Sequence, residues 1–208
     1  MLTVPLAEAR AEHQVSNSRF IGCLAPVASA EEGRHFIQQI KQEFPDASHH
    51  VPAFIIGGGN SSSEFCSDDG EPSGTSGRPV LAVLKGSGLG NVVLVVVRYF
   101  GGTKLGTGGL VKAYTEAAQR VLAQTQRARL VPSHTVNLEL PYHLYERCRQ
   151  ECDTGGAQII KEAFTASVQI RLQIACDGFD AFCAQIAEMS AGGIHPEIIE
   201  TSDRRLPL

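Results

Sequence analysis

Val168-Gln169-Ile170-Arg171-Leu172-Gln173-Ile174 alternates apolar and polar side chains without a break. A period of two puts the four aliphatic residues on one face of a strand and the three polar ones on the other. Upstream, Ala157 to Phe164 reads as a strand, preceded by Gly155-Gly156. Before that pair, Leu144, Tyr145, Cys148 and Cys152 recur at helical spacing. Thr135 to Leu140 alternates as another strand. Downstream, Phe179, Phe182, Cys183 and Ile186 mark a second helix, and Glu197 to Thr201 a last strand. The order βαββαβ is the ferredoxin-like arrangement, expected over residues 133–208. Arg127 to Ser133, with Pro132, reads as a linker, which leaves residues 1–128 as a first domain.

The first domain also mixes both element types, so the fold class is α+β. Ser18 to Val27 reads as a strand. Ser29-Ala30-Glu31-Glu32 is a capping box. Phe36, Ile37, Ile40 and Phe44 follow at helical spacing, and Pro45 closes the helix. Val51 to Ile56 reads as a strand, and Gly57-Gly58-Gly59-Asn60 with three serines as a turn. Phe65 to Pro79 reads as loop, because Gly70, Pro72, Gly74 and Gly77 punctuate it. A short helix can open at Pro79 to Leu84. Val92 to Val97 is a continuous aliphatic run, as expected of a strand buried on both faces. Leu110, Tyr114, Ala117, Ala118 and Val121 form a helical stripe, with Thr107 as the expected N-cap.

The 208 residues are 43% hydrophobic and 19% charged, ordinary for a globular protein with a core. No apolar run approaches the ~18 residues that span a bilayer. The first twelve residues hold Glu8, Arg10 and Glu12 without an apolar stretch, so no signal peptide is read there. A cytoplasmic location, with the six cysteines as reduced thiols, is expected. Cys148 and Cys152 share a helix face and read as core filling. No C-x-x-C pair occurs, which argues against a zinc ribbon or a redox site.

Net charge is −4, against a general nucleic-acid binder, but its distribution is uneven. Residues 1–77 carry four basic and ten acidic side chains, and residues 121–208 eight and eleven. Between them, Arg78, Lys85, Arg98, Lys104, Lys112 and Arg120 face only Glu116. A local positive band attracts phosphates even on an acidic chain.

Two stretches carry the chemistry. The run from Ser67 to Pro79 packs Asp68, Asp69 and Glu71 with small hydroxyl residues and Arg78 into a loop. Its carboxylates are candidate ligands for a hard cation such as Mg²⁺. Alternatively Asp68 and Asp69 are structural, accepting loop amides or pairing with Arg78 or Arg98. The run from Arg98 to Tyr114 passes from strand through loop to helix. A helix start at 107–110 leaves free N–H groups and a positive dipole end. Gly106, Thr107, Gly108 and Gly109 allow close approach, and Lys104 and Lys112 add full charges, which suits phosphate. Tyr99, Phe100 and Tyr114 are candidates for base stacking. The competing reading makes the glycines turn residues and the aromatics core.

Known phosphate motifs fail. Gly101 and Gly106 have P-loop spacing, but Thr107 stands where that motif needs Lys. Gly86-Ser87-Gly88-Leu89-Gly90 precedes a strand, the wrong order for a dinucleotide fingerprint. His49 and His50 are adjacent in an extended segment and point to opposite faces, so they rarely share a metal.

Ser67 to Thr75, Gly77-x-Pro79 and Val95 to Tyr114 resemble the motifs of the IMPACT/YigZ family, with Ser18 to Ile21 and His49-His50 matching earlier blocks. The resemblance covers about residues 15–125 by motif. Residues 133–202 are similar by pattern to the C-terminal domain of bacterial members. It implies a first domain similar to ribosomal protein S5 domain 2, with a left-handed βαβ element. It implies a second domain similar to domain V of elongation factor G, whose domains IV and V contact ribosomal RNA. Eukaryotic relatives regulate translation by binding the activator of a kinase that phosphorylates an initiation factor. The extra N-terminal domain they use for that contact is not matched here, so that role is not carried over. No catalytic residue is implied, and no proline-peptidase site is found.

The expected function is therefore binding of RNA or the ribosome in the regulation of translation. Arg98, Lys104 and Lys112 would contact phosphates with the amides of 106–109, bordered by Arg78 and Tyr99. One alternative is a metal-dependent enzyme or binding protein for a phosphorylated compound or nucleotide, using Asp68, Asp69 and Glu71. Another is a protein partner held on the exposed ferredoxin-like sheet.

Overall fold

The structure, a computed structural model, describes residues 2–58 and 61–208; Gly59 and Asn60 of the expected turn lie outside them. Two compact units emerge. One runs through Arg129 and takes in Arg205–Leu208, and the other is Leu130–Arg204. Among the described residues no helix is long and apolar enough to cross a membrane.

The first unit contains β1 (Thr3–Pro5), β2 (Ala9–Val15), β3 (Ser18–Pro26), α1 (Ala30–Glu43), β4 (His49–Ile56), β5 (Ser63–Cys66), α2 (Gly77–Ser87), β6 (Val92–Tyr99) and α3 (Gly106–Gln124). Its five-stranded sheet has the order β2-β3-β6-β4-β5, with every neighbouring pair antiparallel. The aliphatic run lies in the central strand, where both faces are covered. Val92, Leu94 and Val96 enter a core with α2 and α3. Val93, Val95 and Val97 enter a second core with α1. The sheet is thus a middle layer between α1 and the α2–α3 pair.

The expected helix at 79–84 begins earlier, at Gly77. The start of α1 is as expected: the Glu32 N–H donates to Ser29 Oγ at 3.2 Å. The Glu32 carboxylate reaches one residue further back than a capping box requires, to the Ala28 N–H at 2.7 Å. Strands β1, β2 and β5 are additions. Strand β2 joins β3 through Ser16-Asn17, both with positive φ (44° and 67°).

The second unit contains most of β7 (Arg127–Leu140), then α4 (Tyr145–Thr154), β8 (Gln158–Phe164), β9 (Val168–Ala175), α5 (Phe179–Met189) and most of β10 (Glu197–Pro207). The sheet order β10-β7-β9-β8, with antiparallel β7–β9 and β8–β9 pairs, is ferredoxin-like. Val168, Ile170, Leu172 and Ile174 of β9 are all buried, together with Cys148, Cys152, Phe182 and Ile186. The linker expected at 127–133 is instead the start of β7. Within the first unit, Arg127–Arg129 pair antiparallel with β1. That partner lies at the other end of the sequence, so no local signal marked it. The last four residues, expected in the second domain, count with the first unit, where the Leu208 N–H donates to the Arg127 carbonyl at 3.0 Å.

Candidate functional site

Strand parity decides the fate of Arg98. It follows Val92, Leu94 and Val96 on the face of β6 that looks toward α2 and α3, and it is 4% exposed. Its strand neighbours are Phe20 on β3 and His49 on β4. The guanidinium lies over the rings of Phe20 and Phe100, with its carbon 5.5 and 5.4 Å from the centroids. Nη1 donates to Glu71 Oε1 at 2.6 Å, and Nη2 makes a long contact to Ser18 Oγ at 3.4 Å. The same Glu71 oxygen accepts the Tyr114 hydroxyl at 2.7 Å. Burial, with the Glu71 carboxylate beside it, pushes the Tyr114 hydroxyl above its ordinary pKa, so it remains a donor. The two glycine-punctuated stretches therefore meet in a buried knot of Glu71, Arg98 and Tyr114. The expectation that Arg98 contacts phosphate is corrected: its charge is enclosed and paired. Tyr114 likewise is core, not a stacking surface.

Tyr114→Phe removes one hydrogen bond from the knot but leaves its ion pair. A loss of about 1–2 kcal/mol is expected in urea denaturation. No change would mean that the hydroxyl does not bind Glu71.

Asp68 organises the acidic loop. Its carboxylate accepts the N–H groups of Gly74 (2.8 Å), Ser76 (3.2 Å) and Gly77 (2.8 Å) and the Ser76 hydroxyl (2.8 Å). It thereby satisfies the amino end of α2, where Ser76 is the N-cap residue but makes no side-chain cap itself. Burial would raise the Asp68 pKa; the hydrogen bonds from Gly74, Gly77 and Ser76 outweigh it and hold the carboxyl below the usual range. The loop sits tight against the helix start. A Cβ on Gly77 would lie 2.6 Å from the Ser67 carbonyl oxygen, so only glycine fits.

Asp69 serves a third role. One carboxylate oxygen accepts Lys41 Nζ at 3.0 Å and the other accepts the His50 N–H at 2.7 Å. His49 donates from Nδ1 to the Asp69 carbonyl at 2.9 Å, while His50 donates from Nε2 to the Phe44 carbonyl at 2.8 Å. The adjacent histidines thus diverge, as their extended backbone requires. The metal reading of Asp68, Asp69 and Glu71 is corrected on the same ground. Each carboxylate is turned to a different set of donors, and they do not converge. Among the described residues no group of three His, Cys, Asp or Glu side chains is placed to hold a metal ion.

What remains open to solvent is the stretch before and along α3. Lys104, Gly106, Thr107 and Gly108 are exposed, and Gly109 is half-buried. The helix starts at Gly106, not after Thr107; Leu105 is the N-cap residue, and Thr107 lies within the first turn. Among the described residues no side chain caps this end, and no acid sits in its first turn. Gly106 has φ 71°, and a Cβ on Gly108 would meet nothing within 4 Å. Lys112 is 79% exposed at its side chain, with Glu116 at 4.0 Å. Arg78 is exposed on the first turn of α2. Tyr99 has the other strand parity. Its hydroxyl donates to Asp46 at 2.9 Å, and Arg19 lies over its ring at 5.6 Å. It stands on the face opposite Arg98.

The sequence reading missed Ser18 and Phe20 as partners of Arg98, and Lys41 and Asp46 as partners of Asp69 and Tyr99. Parity along Val92 to Arg98 was the signal available for Arg98. Nothing in the linear sequence marks Lys41 or Asp46.

Fold and knot together define a two-unit α+β protein, in which a buried ionic cluster fastens an acidic loop to a strand–loop–helix segment. The chain belongs to the IMPACT family: residues 16–122 match the family model described as the Impact N-terminal domain, and residues 138–192 match a domain of unknown function, DUF1949. It is 37% identical over 201 residues to the IMPACT family member YigZ of Escherichia coli (strain K12), covering 95% of this chain and 97% of that protein. An IMPACT family member of Haemophilus influenzae is 36% identical over 201 residues, covering 96% and 98%. A crystal structure of a hypothetical protein is similar with a TM-score of 0.63 and 36% identity, over 96% of this chain and 97% of that one.

Proposed function

We propose that this chain is a non-catalytic RNA- or ribosome-binding protein that acts on translation in the cytoplasm. The observation that carries the reading is the exposed, uncapped start of α3. Its free N–H groups have no acid in the first turn, with exposed Lys104 just before it and Lys112 further along. Such an end attracts phosphate through its amides and dipole, and the lysines add full charges. Arg78 supplies a further exposed cation from α2, while Arg98 belongs to the scaffold. The resemblance to elongation-factor domains that contact ribosomal RNA points the same way.

Fluorescence anisotropy with mixed-sequence single-stranded RNA tests the reading. Wild-type affinity falls steeply as salt rises, because bound phosphates release counterions. Lys104→Ala/Lys112→Ala weakens binding about tenfold at low salt and lowers the log–log salt slope by roughly 1.4, or ~0.7 per lost contact. A flat salt response, or a double variant that binds like wild type, would remove the proposal.

A further inference from the structure

We infer that Phe100 is a stacking platform for an unpaired base, so that the RNA held at the start of α3 is single-stranded there. Three aromatic side chains stand in the strand–loop–helix segment, and the fold removes two of them. Tyr114 is fully buried, with its hydroxyl on Glu71. Tyr99 packs against the α1 core, with Arg19 over its ring and its hydroxyl on Asp46. Phe100 is 48% exposed. A single exposed ring marks nothing by itself, but this one is held in place. Its N–H donates to Ser48 Oγ at 3.1 Å, just before β4. The next N–H, of Gly101, donates to Ser18 Oγ at 3.2 Å, at the start of β3. A Cβ on Gly101 would lie 2.1 Å from the Asn17 backbone, so the chain is pressed against the β2–β3 turn. Two strands thus fix the backbone that presents the ring.

The surroundings of the ring name its partner. The Arg98 guanidinium carbon lies over it, 5.4 Å from the centroid. A cation on one face holds a ring through its quadrupole. The other face is the one left for a partner. Phe100 precedes Lys104 by four residues, at most about 14 Å of extended chain. A base on the ring and a phosphate at the start of α3 can therefore belong to one short oligonucleotide. A flat aromatic beside a cationic backbone site is how single strands are held, because every base has a π-face. A duplex keeps its bases stacked inside and offers no such face. The inference rests on the RNA reading and adds to it the form of RNA that is bound.

The test compares a short mixed-sequence single-stranded RNA with a duplex of the same sequence, both titrated into the full chain. Phe100→Ala is expected to weaken the single strand about tenfold. It should leave the log–log salt slope unchanged, because stacking releases no counterions. Duplex binding should be unaffected. Phe100→Trp is expected to keep the affinity. The chain has no tryptophan of its own, so the emission of this variant reports on the ring alone, and the single strand should quench it while the duplex does not. Melting curves check that both variants fold; should Phe100→Ala misfold, the quenching decides. If wild type binds no RNA in a salt-dependent way, the RNA reading falls and this inference with it. If wild type binds and Lys104→Ala/Lys112→Ala loses affinity, the reading stands and the inference is judged alone. It is then overturned if a folded Phe100→Ala binds the single strand like wild type, loses affinity equally for the duplex, or loses salt slope. An unquenched tryptophan in an RNA-saturated Phe100→Trp would overturn it as well.

Discussion

Replacing Glu71 with alanine is expected to destabilise the first unit by about 3–5 kcal/mol, because it leaves a buried guanidinium without its counter-ion. Arg98 is only 4% exposed, so water cannot take the place of the carboxylate. Its remaining partners are Ser18 Oγ at 3.4 Å and the faces of Phe20 and Phe100, while Nε already has no hydrogen-bond partner among the described residues. Cation–π contact is worth up to about 2 kcal/mol when desolvated, and both ring contacts exist already in the wild type. They cannot compensate for the loss. Tyr114 loses its acceptor in the same change, which adds an unsatisfied buried hydroxyl. The melting temperature should fall on the order of 10 °C. Glu71→Leu/Arg98→Met should recover most of the loss, since an apolar pair of similar size removes both charges at once. Urea denaturation of the three proteins decides the matter. A loss below about 1 kcal/mol in Glu71→Ala would show that the pair is not the fastening described.

Asp68→Ala should cost about 2–4 kcal/mol, because three loop and helix-start N–H groups and the Ser76 hydroxyl lose one common acceptor. The effect should depend on pH. The carboxyl is held below its ordinary pKa, so the folded state favours the ionised form. Its contribution is complete above the usual carboxylate range near pH ~4 and is lost as pH falls through the depressed native value. Asp68→Asn should therefore lose less stability than wild type on acidification below about pH 4. Parallel pH–stability curves for the two proteins would contradict this.

How much of this was legible in the sequence depended on how local each signal was. The βαββαβ order is written in spacing alone, because β9 alternates cleanly and α4 ends at Gly155-Gly156. The aliphatic run of β6 likewise identifies a strand with two covered faces. Strand β2, Ala9-Arg-Ala-Glu-His-Gln-Val15, is mostly polar, and its hairpin turns through Ser16-Asn17 rather than a glycine pair. Its strand character comes from pairing with β3. The start of β7 was read as linker because Pro132 is nearby and its partner, Thr3–Pro5, is far away in sequence.

The site divides along the same line. Exposed Lys104, Lys112 and the glycine-rich helix start were readable as a cationic end; Thr107 was read as its N-cap, whereas it lies inside the first turn of a helix that starts at Gly106. Arg98 was misread because a charged residue beside a glycine loop suggests solvent. Its even spacing from Val96 instead carries it inward, and Glu71, 27 residues earlier, meets it there. Asp68, Asp69 and Glu71 were candidate metal ligands by proximity in sequence, with structural roles for Asp68 and Asp69 as the other reading. In the fold they serve three separate jobs, and positive φ at Asp69 (44°) and Gly70 (86°) turns the chain between them.

Glu71, Arg98 and Tyr114 form a buried knot that builds the surface, and on the proposed function Lys104 and Lys112 are the cations that meet RNA. RNA titrations of Glu71→Leu/Arg98→Met and Lys104→Ala/Lys112→Ala, side by side over a range of salt, test this division most directly. The knot variant should keep the wild-type affinity and salt slope, while the lysine variant loses about tenfold in affinity and part of the slope. A folded knot variant that loses RNA affinity beside an unaffected lysine variant would contradict the account.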